Sequence, residues 1–258
     1  MLELFRDSYR YREIIWVLAM KELKVRYKRS VLGFVWALLH PLLMMVVLTI
    51  VFSAIMRIPV EHYAVFLICT LFPWTFFSQS LAYSVESIVG NSGLLKSVHV
   101  PQLVLPLSAI LANLINFLLS LFPLALLLLV LNHPFHGTWL YLPVPILALI
   151  LFTLGCGFFF ATLNVFFRDT THIVQILLAA WFYLSPIIYS LDFVAPEYHV
   201  VFRLNPMLYI LNGFRLAIYH GLLPSAASIA MSLGCGALAL VIGFGIFRRY
   251  QDSFVFYA

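Results

Sequence analysis

The chain has 258 residues, of which 64% are hydrophobic and only 10% are charged, and its formal net charge is +5. A soluble domain is about half apolar and about a quarter charged, so this composition predicts a polytopic membrane protein without a large soluble domain. Eight of the fifteen Lys and Arg residues lie in the first 29 positions. That asymmetry is typical of a cytoplasmic membrane face and does not indicate nucleic-acid binding.

The first predicted element is a basic amphipathic helix within residues 1–32. At about 100° per residue, its apolar side chains form one narrow stripe, and basic side chains flank that stripe. The stripe consists of Trp16, Met20, Leu23 and Tyr27, and the flanking cations include Lys24, Arg26 and Lys28. We expect an interfacial helix on the inner leaflet, with the stripe in lipid and the basic side chains reaching the headgroups. A simpler interpretation is that the cations only set the topology. The basic region is too long, and the next apolar run long enough to span, so a cleavable signal peptide is not expected.

Six apolar runs follow, each near or above the roughly 20 residues with which a helix crosses a bilayer. They are residues 34–56, 63–85, 103–131, 140–167, 172–191 and 225–247. The chain is thus predicted to form one transmembrane domain over 1–258, with five spans in 34–191, an external segment 192–224, a sixth span and a tail 248–258.

The external segment 192–224 also contains apolar patches, and it could form a seventh span. With six spans and an inner N-terminus, twelve Lys and Arg residues lie inside and three lie outside. A seventh span would move Arg248 and Arg249 to the outside. The positive-inside rule therefore favours six spans, both termini in the cytoplasm, and a partly re-entrant segment 192–224 on the external side.

The loop between the second and third spans predicts a short cytoplasmic helix. Asn91 or Ser92 can cap its beginning, and Pro101 closes it. A short amphipathic helix at this place is suited to contact a soluble partner, although an ordinary connector remains the alternative.

Aromatic residues are numerous, with 24 Phe, 13 Tyr and 5 Trp, and many lie within the spans. Aromatic faces can stack on the apolar faces of sugar rings, and tyrosine hydroxyls can hydrogen-bond sugar hydroxyls. The candidates for such a path are Phe34, Trp36, Phe52, Trp74, Phe77, Trp181, Tyr183 and Tyr189. The alternative for each is lipid-facing bulk or anchoring at the membrane interface.

Motifs for catalysis and for metal or nucleotide binding are missing from the sequence. It contains no GxxxxGK[ST], HExxH or GxSxG pattern and no paired-carboxylate constellation. The three cysteines have no CxxC spacing, and His133 and His136 without further ligands are only weak evidence for a metal site. Ionisable residues at mid-membrane depth are almost absent, which argues against a proton relay. If the protein moves a solute, a partner is expected to supply the energy.

Several stretches in order then resemble one family. They are residues 21–41 (KELKVRYKRSVLGFVWALLHP), 91–96 (NSGLLK) with Val100-Pro101, 163–169 (LNVFFRD), 184–189 (LSPIIY) and 204–206 (LNP). Together they resemble the permease subunits of ABC-2 type transporters that export lipid-linked O-antigen, capsule or teichoic acid chains. The resemblance covers nearly the whole chain. His40 stands where relatives often carry Asn.

The resemblance implies an all-α ABC-2 exporter fold that works as a homodimer with two separate ATP-binding subunits. Those partners would bind ATP and Mg, and this chain would bind no cofactor and no metal. The short cytoplasmic helix becomes a coupling helix, with Asn91, Leu94, Leu95, Lys96 and Val98 as its candidate residues. Segment 192–224 becomes an external gate, with Asp192, Arg203, Asn205 and Pro206 as candidates. Spans one and five of both copies would line a channel for a lipid-linked polysaccharide in the bacterial inner membrane.

Rival interpretations are an ABC-2 exporter of drugs or small lipids, an integral-membrane glycan-processing enzyme, and a structural scaffold. The enzyme needs a convergent acid, base or nucleophile, which no cluster in the sequence supplies. The scaffold does not explain the matched coupling and gate segments.

Overall fold

A computed structural model of the chain describes residues 9–26, 28, 30, 32–33, 35–97 and 101–257. In these ranges the regular secondary structure is helical throughout. The α-helices are α1 (Arg12–Arg26), α2 (Val35–Thr49), α3 (Tyr63–Gly90), α4 (Ser92–Ser97), α5 (Val104–Val130), α6 (Pro143–Phe166), α7 (Thr170–Leu184), α8 (His199–Arg203), α9 (Pro206–Arg215), α10 (Ala226–Tyr250) and α11 (Phe254–Tyr257). Two π-helical turns, Ile50–Ile55 and Leu216–His220, continue α2 and α9.

Each predicted span corresponds to an apolar helix. Helices α3, α5, α6 and α10 are long and apolar enough to cross a bilayer, whereas α2 and α7 are shorter apolar helices. The six-span topology and the position of the termini stay predictions.

Helix α3 forms the centre of the bundle. It contacts α2, α5, α6, α7 and α9, and its side chains are buried along most of its length. An apolar helix that is buried on nearly all sides is expected in the core of a helical membrane protein. A movement of α3 would therefore displace the helices that it contacts.

The α6–α10 pair is packed through glycines. A Cβ atom added at Gly243 would overlap the carbonyl of Gly155, and one added at Gly155 would overlap the backbone at Ala239. Small residues let membrane helices approach so closely that their backbones touch, which increases van der Waals contact. These glycines therefore allow the backbones of α6 and α10 to touch.

Helix α1 lies against α5, which differs from the prediction of a stripe facing lipid. Ile15, Ala19 and Leu23 are its buried residues, and Ala19 and Leu23 cluster with Ala112 of α5. Of the predicted stripe, Leu23 is buried and Met20 packs at the edge of this cluster, while Trp16 is exposed. The small side chain of Ala19 allows this close contact, so the buried face of α1 is centred on Ala19 and Trp16 lies outside it.

Helix α7 ends seven residues before the predicted limit of its span. Its last residue is Leu184, and Ser185 has an extended backbone with φ −105° and ψ 136°. Pro186 explains this end, because proline disfavours a helical conformation in the residue before it and lacks a backbone donor. Fifteen residues make a helix of only about 22 Å, which is shorter than the bilayer core.

Candidate functional site

A groove of about 410 Å³ opens between α2, α3 and α7. Residues from all three helices line it: His40, Pro41, Met44, Leu71, Trp74, Thr75, Ser78, Gln79, Leu178, Ala179, Phe182 and Tyr183. The resemblance assigned the channel to the first and fifth spans, which correspond to α2 and α7. The groove contains both of these helices and adds α3 between them.

One face of α3 supplies polar groups to this groove. Thr75, Ser78 and Gln79 line the groove and are all half-buried. The Thr75 hydroxyl donates to the Leu71 carbonyl at 2.8 Å, and the Ser78 hydroxyl donates to the Thr75 carbonyl at 3.2 Å. Each oxygen keeps a lone pair that can accept from a ligand. Sequence reasoning missed these residues, although their i, i+3, i+4 spacing within an apolar span marks a polar face.

Two of the predicted path aromatics line the groove. Tyr183 is 64% exposed there, and Trp74 closes the wall with its ring 5.8 Å from that of Phe182. Trp36 is exposed on α2, Phe52 and Tyr189 are half-buried, and none of the three lines the groove. Phe34 lies outside the described residues.

Phe77 and Trp181 are placed in helix packing instead. Phe77 is fully buried, with its ring 5.3 Å from Trp181 and 5.6 Å from Phe152. Their edge-to-face and tilted arrangements are those that aromatic pairs favour in a protein core. In this structure Phe77 serves the packing alternative, because it has no surface open to a sugar, while Trp181 is half-buried and does not line the groove.

The external gate candidates meet the end of α7 through Asn205. Its Oδ1 accepts from the Trp181 indole at 2.9 Å and from the Met207 amide at 3.0 Å, which caps α9. Its Nδ2 donates to the Leu184 carbonyl at 3.1 Å and to the Ser185 hydroxyl at 3.0 Å. One amide side chain therefore joins the broken end of α7 to the start of α9.

The other gate candidates lie around this junction. Pro206 occupies the first turn of α9, where its missing N–H removes no helical hydrogen bond. Asp192 accepts a hydrogen bond from the Ser190 hydroxyl at 2.7 Å. Arg203 is exposed at the end of α8, and its carbonyl accepts from the Tyr209 hydroxyl at 2.9 Å.

On the opposite side of the bundle, Arg26 fastens α1 to α5. It donates to Asn113 Oδ1 at 2.8 Å, and its guanidinium lies 3.8 Å from the centroid of the Tyr83 ring. Lys24 and Lys28 are exposed, and Tyr27 lies outside the described residues. Burial raises the pKa of Glu22 against the opposing effect of Arg26 and Lys21. Arg26 thus contacts protein, while the two lysines remain open to headgroups or to an anionic ligand.

The candidate coupling helix is α4, which follows α3 directly. Asn91 donates from Nδ2 to the Ser87 carbonyl at 2.8 Å, and its carbonyl accepts from the Leu94 amide at 3.0 Å. Leu95 and Lys96 continue the helical backbone, and α11 contacts α4. Val98 lies outside the described residues. The side chain of Asn91 ties this short helix to the end of the central helix α3.

Comparison with known proteins identifies the family. The family model described as ABC-2 type transporter matches residues 13–219. The O-antigen export system permease protein RfbA of Myxococcus xanthus is 34% identical, over 98% of this chain and 98% of its own. RfbA of Klebsiella pneumoniae is 31% identical, covering 94% of this chain and 93% of its own. The polysialic acid transport protein KpsM of Escherichia coli is 26% identical, covering 92% and 93%.

Proposed function

Because the chain belongs to the ABC-2 type transporter family, we propose that it is the permease subunit of an ATP-driven exporter of lipid-linked polysaccharide across the cytoplasmic membrane. The observation that carries this proposal is the nearly full-length similarity to the O-antigen export permease of Myxococcus xanthus, at 34% identity. O-antigen-like chains are the proposed substrate class.

The proposed assembly is a homodimer bound to two ATP-binding subunits, which hold the ATP and Mg. Helix α4 is the contact that transmits their closure. Because Asn91 ties α4 to α3, and α3 contacts most of the bundle, a displacement of α4 is passed to the groove helices. Rigid-body shifts of packed helices are a general way of converting such a displacement into opening.

The inner-leaflet entrance is proposed to lie beside α1. Its exposed lysines, Lys24 and Lys28, can attract the phosphates of a lipid carrier, while Arg26 holds the helix to α5 through Asn113. Phosphate and ammonium groups attract each other most strongly where headgroups are partly dehydrated. This division predicts that the two lysines act on substrate and that Arg26 acts on the position of the helix.

The glycan path is proposed to follow the groove between α2, α3 and α7. His40, Gln79 and Tyr183 offer polar groups and an exposed ring, whereas the remaining surface is largely apolar. Several weak contacts of this kind hold a sugar without fixing it, so a repeating polymer can slide.

Alanine at Tyr183 tests the groove. We expect export of the glycan to fall about two- to tenfold, which corresponds to roughly 0.5–1.5 kcal/mol for one ring contact. The measurement is the rate of glycan appearance at the cell surface, normalised to the permease level in the membrane. Phe122, which is exposed on α5 and does not line the groove, supplies the matched control Phe122→Ala. If Tyr183→Ala and Phe122→Ala export the glycan at the same rate, the glycan does not pass through the groove.

A further inference from the structure

A second, larger cavity of about 880 Å³ lies at the end of the bundle that segment 192–224 covers. Its walls come from the loop after α2, the α5–α6 connection, the turn after α7, and helix α9 with its π-helical continuation. This cavity is separate from the groove, since the two share no lining residue. Its volume is within the range of sites that enclose small ligands.

Arg215, at the end of α9, lies on the wall of this cavity and is only 6% exposed. Its Nη2 donates to the Ile187 carbonyl at 3.0 Å and to the Thr70 hydroxyl at 3.3 Å, and the guanidinium lies 3.9 Å from the Phe66 ring centroid. Its buried Nε has no hydrogen-bond partner among the described residues. Within the same part of the chain, no carboxylate forms an ion pair with it.

A buried cation without a counter-charge is costly, and proteins usually pair it. Neutral carbonyl and hydroxyl partners satisfy part of its donor capacity but do not balance its charge. The guanidinium has five N–H donors in a planar fork that fits a carboxylate or a phosphate. An anion in the adjacent cavity would supply the missing charge.

Histidines on the wall add ring N–H groups that can donate to an anion. Four histidines line the cavity: His62, His133, His136 and His220. Burial lowers the pKa of His220, and the charge of Arg215 lowers it further, while Asp192 acts in the opposite direction.

Two carboxylates, Glu61 and Asp192, also line the cavity, and neither pairs with Arg215 among the described residues. Glu61 is exposed to solvent, and Asp192 accepts from the Ser190 hydroxyl, so the buried charge of Arg215 stays without a partner of its own. Two half-buried tyrosines, Tyr209 and Tyr219, line the same space and can stack on a sugar face, whereas Phe66 is buried beneath the guanidinium of Arg215. The combination is a buried guanidinium, several imidazoles and aromatic rings around an open volume.

We propose that this external cavity binds a carboxylate-bearing sugar, with the carboxylate at Arg215 and the ring against the aromatic wall. The site deepens the proposed function, on which it rests for the origin of the sugar in the exported chain. Because it lies under the external segment, the site would hold acidic residues of the glycan as they leave the bundle.

Saturation-transfer NMR on the purified full-length chain in nanodiscs tests this proposal with sodium glucuronate and with glucose as the neutral control. We expect the wild type to bind glucuronate at least about tenfold more tightly than glucose, a factor equal to roughly 1.4 kcal/mol. Arg215→Gln should abolish this difference. Arg249→Gln, which is exposed at the end of α10 and outside the cavity, should retain it.

A second pair of variants keeps the test valid if Arg215→Gln does not fold. Ser228 lines the cavity in the first turn of α10, whereas its neighbour Ala227 is exposed and does not. Ser228→Trp should reduce glucuronate binding by filling the cavity, and Ala227→Trp should not.

Equal binding of glucuronate and glucose by the wild type would overturn the proposal. Glucuronate binding that Ser228→Trp leaves unchanged would also overturn it, as would binding of inorganic phosphate with no binding of glucuronate. The experiment needs neither ATP nor a partner subunit. A failure here, with glycan export intact, would therefore remove this site and leave the proposed function standing.

Discussion

At the scale of single residues, Asn205 is the most connected polar side chain of the external segment. It caps α9, receives the Trp181 indole N–H and donates to the two residues that end α7. From the sequence, Asn205 was a candidate gate residue through the family resemblance alone, and its role as the cap of α9 was not predicted. The Trp181 contact could not be predicted from the sequence, because it depends on where the break after Leu184 folds back.

Asn205→Ala is expected to destabilise the protein by about 1–3 kcal/mol, because it leaves the Trp181 indole and the Met207 amide without their acceptor. Asn205→Asp retains both acceptor contacts but turns an oxygen towards the Leu184 carbonyl, so it should recover only part of the lost stability. Thermal unfolding in detergent micelles, followed by near-UV circular dichroism, measures both. The same midpoint for Asn205→Ala and the wild type would contradict the role of this side chain as the link between α7 and α9.

At the scale of elements, the hydropathy of the chain was enough to predict the apolar helices and their order. Long apolar runs have few alternatives in a bilayer, because every backbone group must be hydrogen-bonded internally. The face that each helix presents was harder to predict. An apolar stripe such as that of α1 is compatible with lipid or with another helix, since both are apolar, and Ala19 and Leu23 turned out to pack on α5.

The end of α7 and the polar face of α3 show two further limits. The predicted fifth span runs through Pro186, and only the structure places the helix end before this proline. Thr75, Ser78 and Gln79 were visible as polar residues, yet their shared groove requires α2 and α7 at their sides. Contacts between residues that are far apart in the chain decide the groove, whereas the end of α7 follows from the proline two residues later.

The glycine contact between α6 and α10 gives a test at this scale. Gly243→Ala places a methyl group against the Gly155 carbonyl and should destabilise the protein by about 1–3 kcal/mol. Gly245→Ala, two residues away with open space around its Cβ position, should be neutral or stabilising by up to about 1 kcal/mol. Unfolding midpoints in the same micelle compare the pair. Equal effects would show that α6 and α10 are not in backbone contact.

At the scale of the whole molecule, the candidate sites lie one after another along the length of the bundle. Helix α1 with its exposed lysines and the short helix α4 flank the side that is proposed to face the cytoplasm. The groove between α2, α3 and α7 occupies the middle, and the cavity with Arg215 lies under the external segment. This order agrees with the proposed export path, which leads from the cytoplasmic side through the groove to segment 192–224.

Deletion of the gene in its host, with the fate of the lipid-linked glycan followed in the mutant, tests the central claim most directly. The permease account predicts that surface polysaccharide disappears, that lipid-linked polymer accumulates inside the cytoplasmic membrane, and that the wild-type chain restores export when it is expressed from a plasmid. Unchanged surface polysaccharide together with increased sensitivity to drugs would contradict it and would identify an exporter of small molecules.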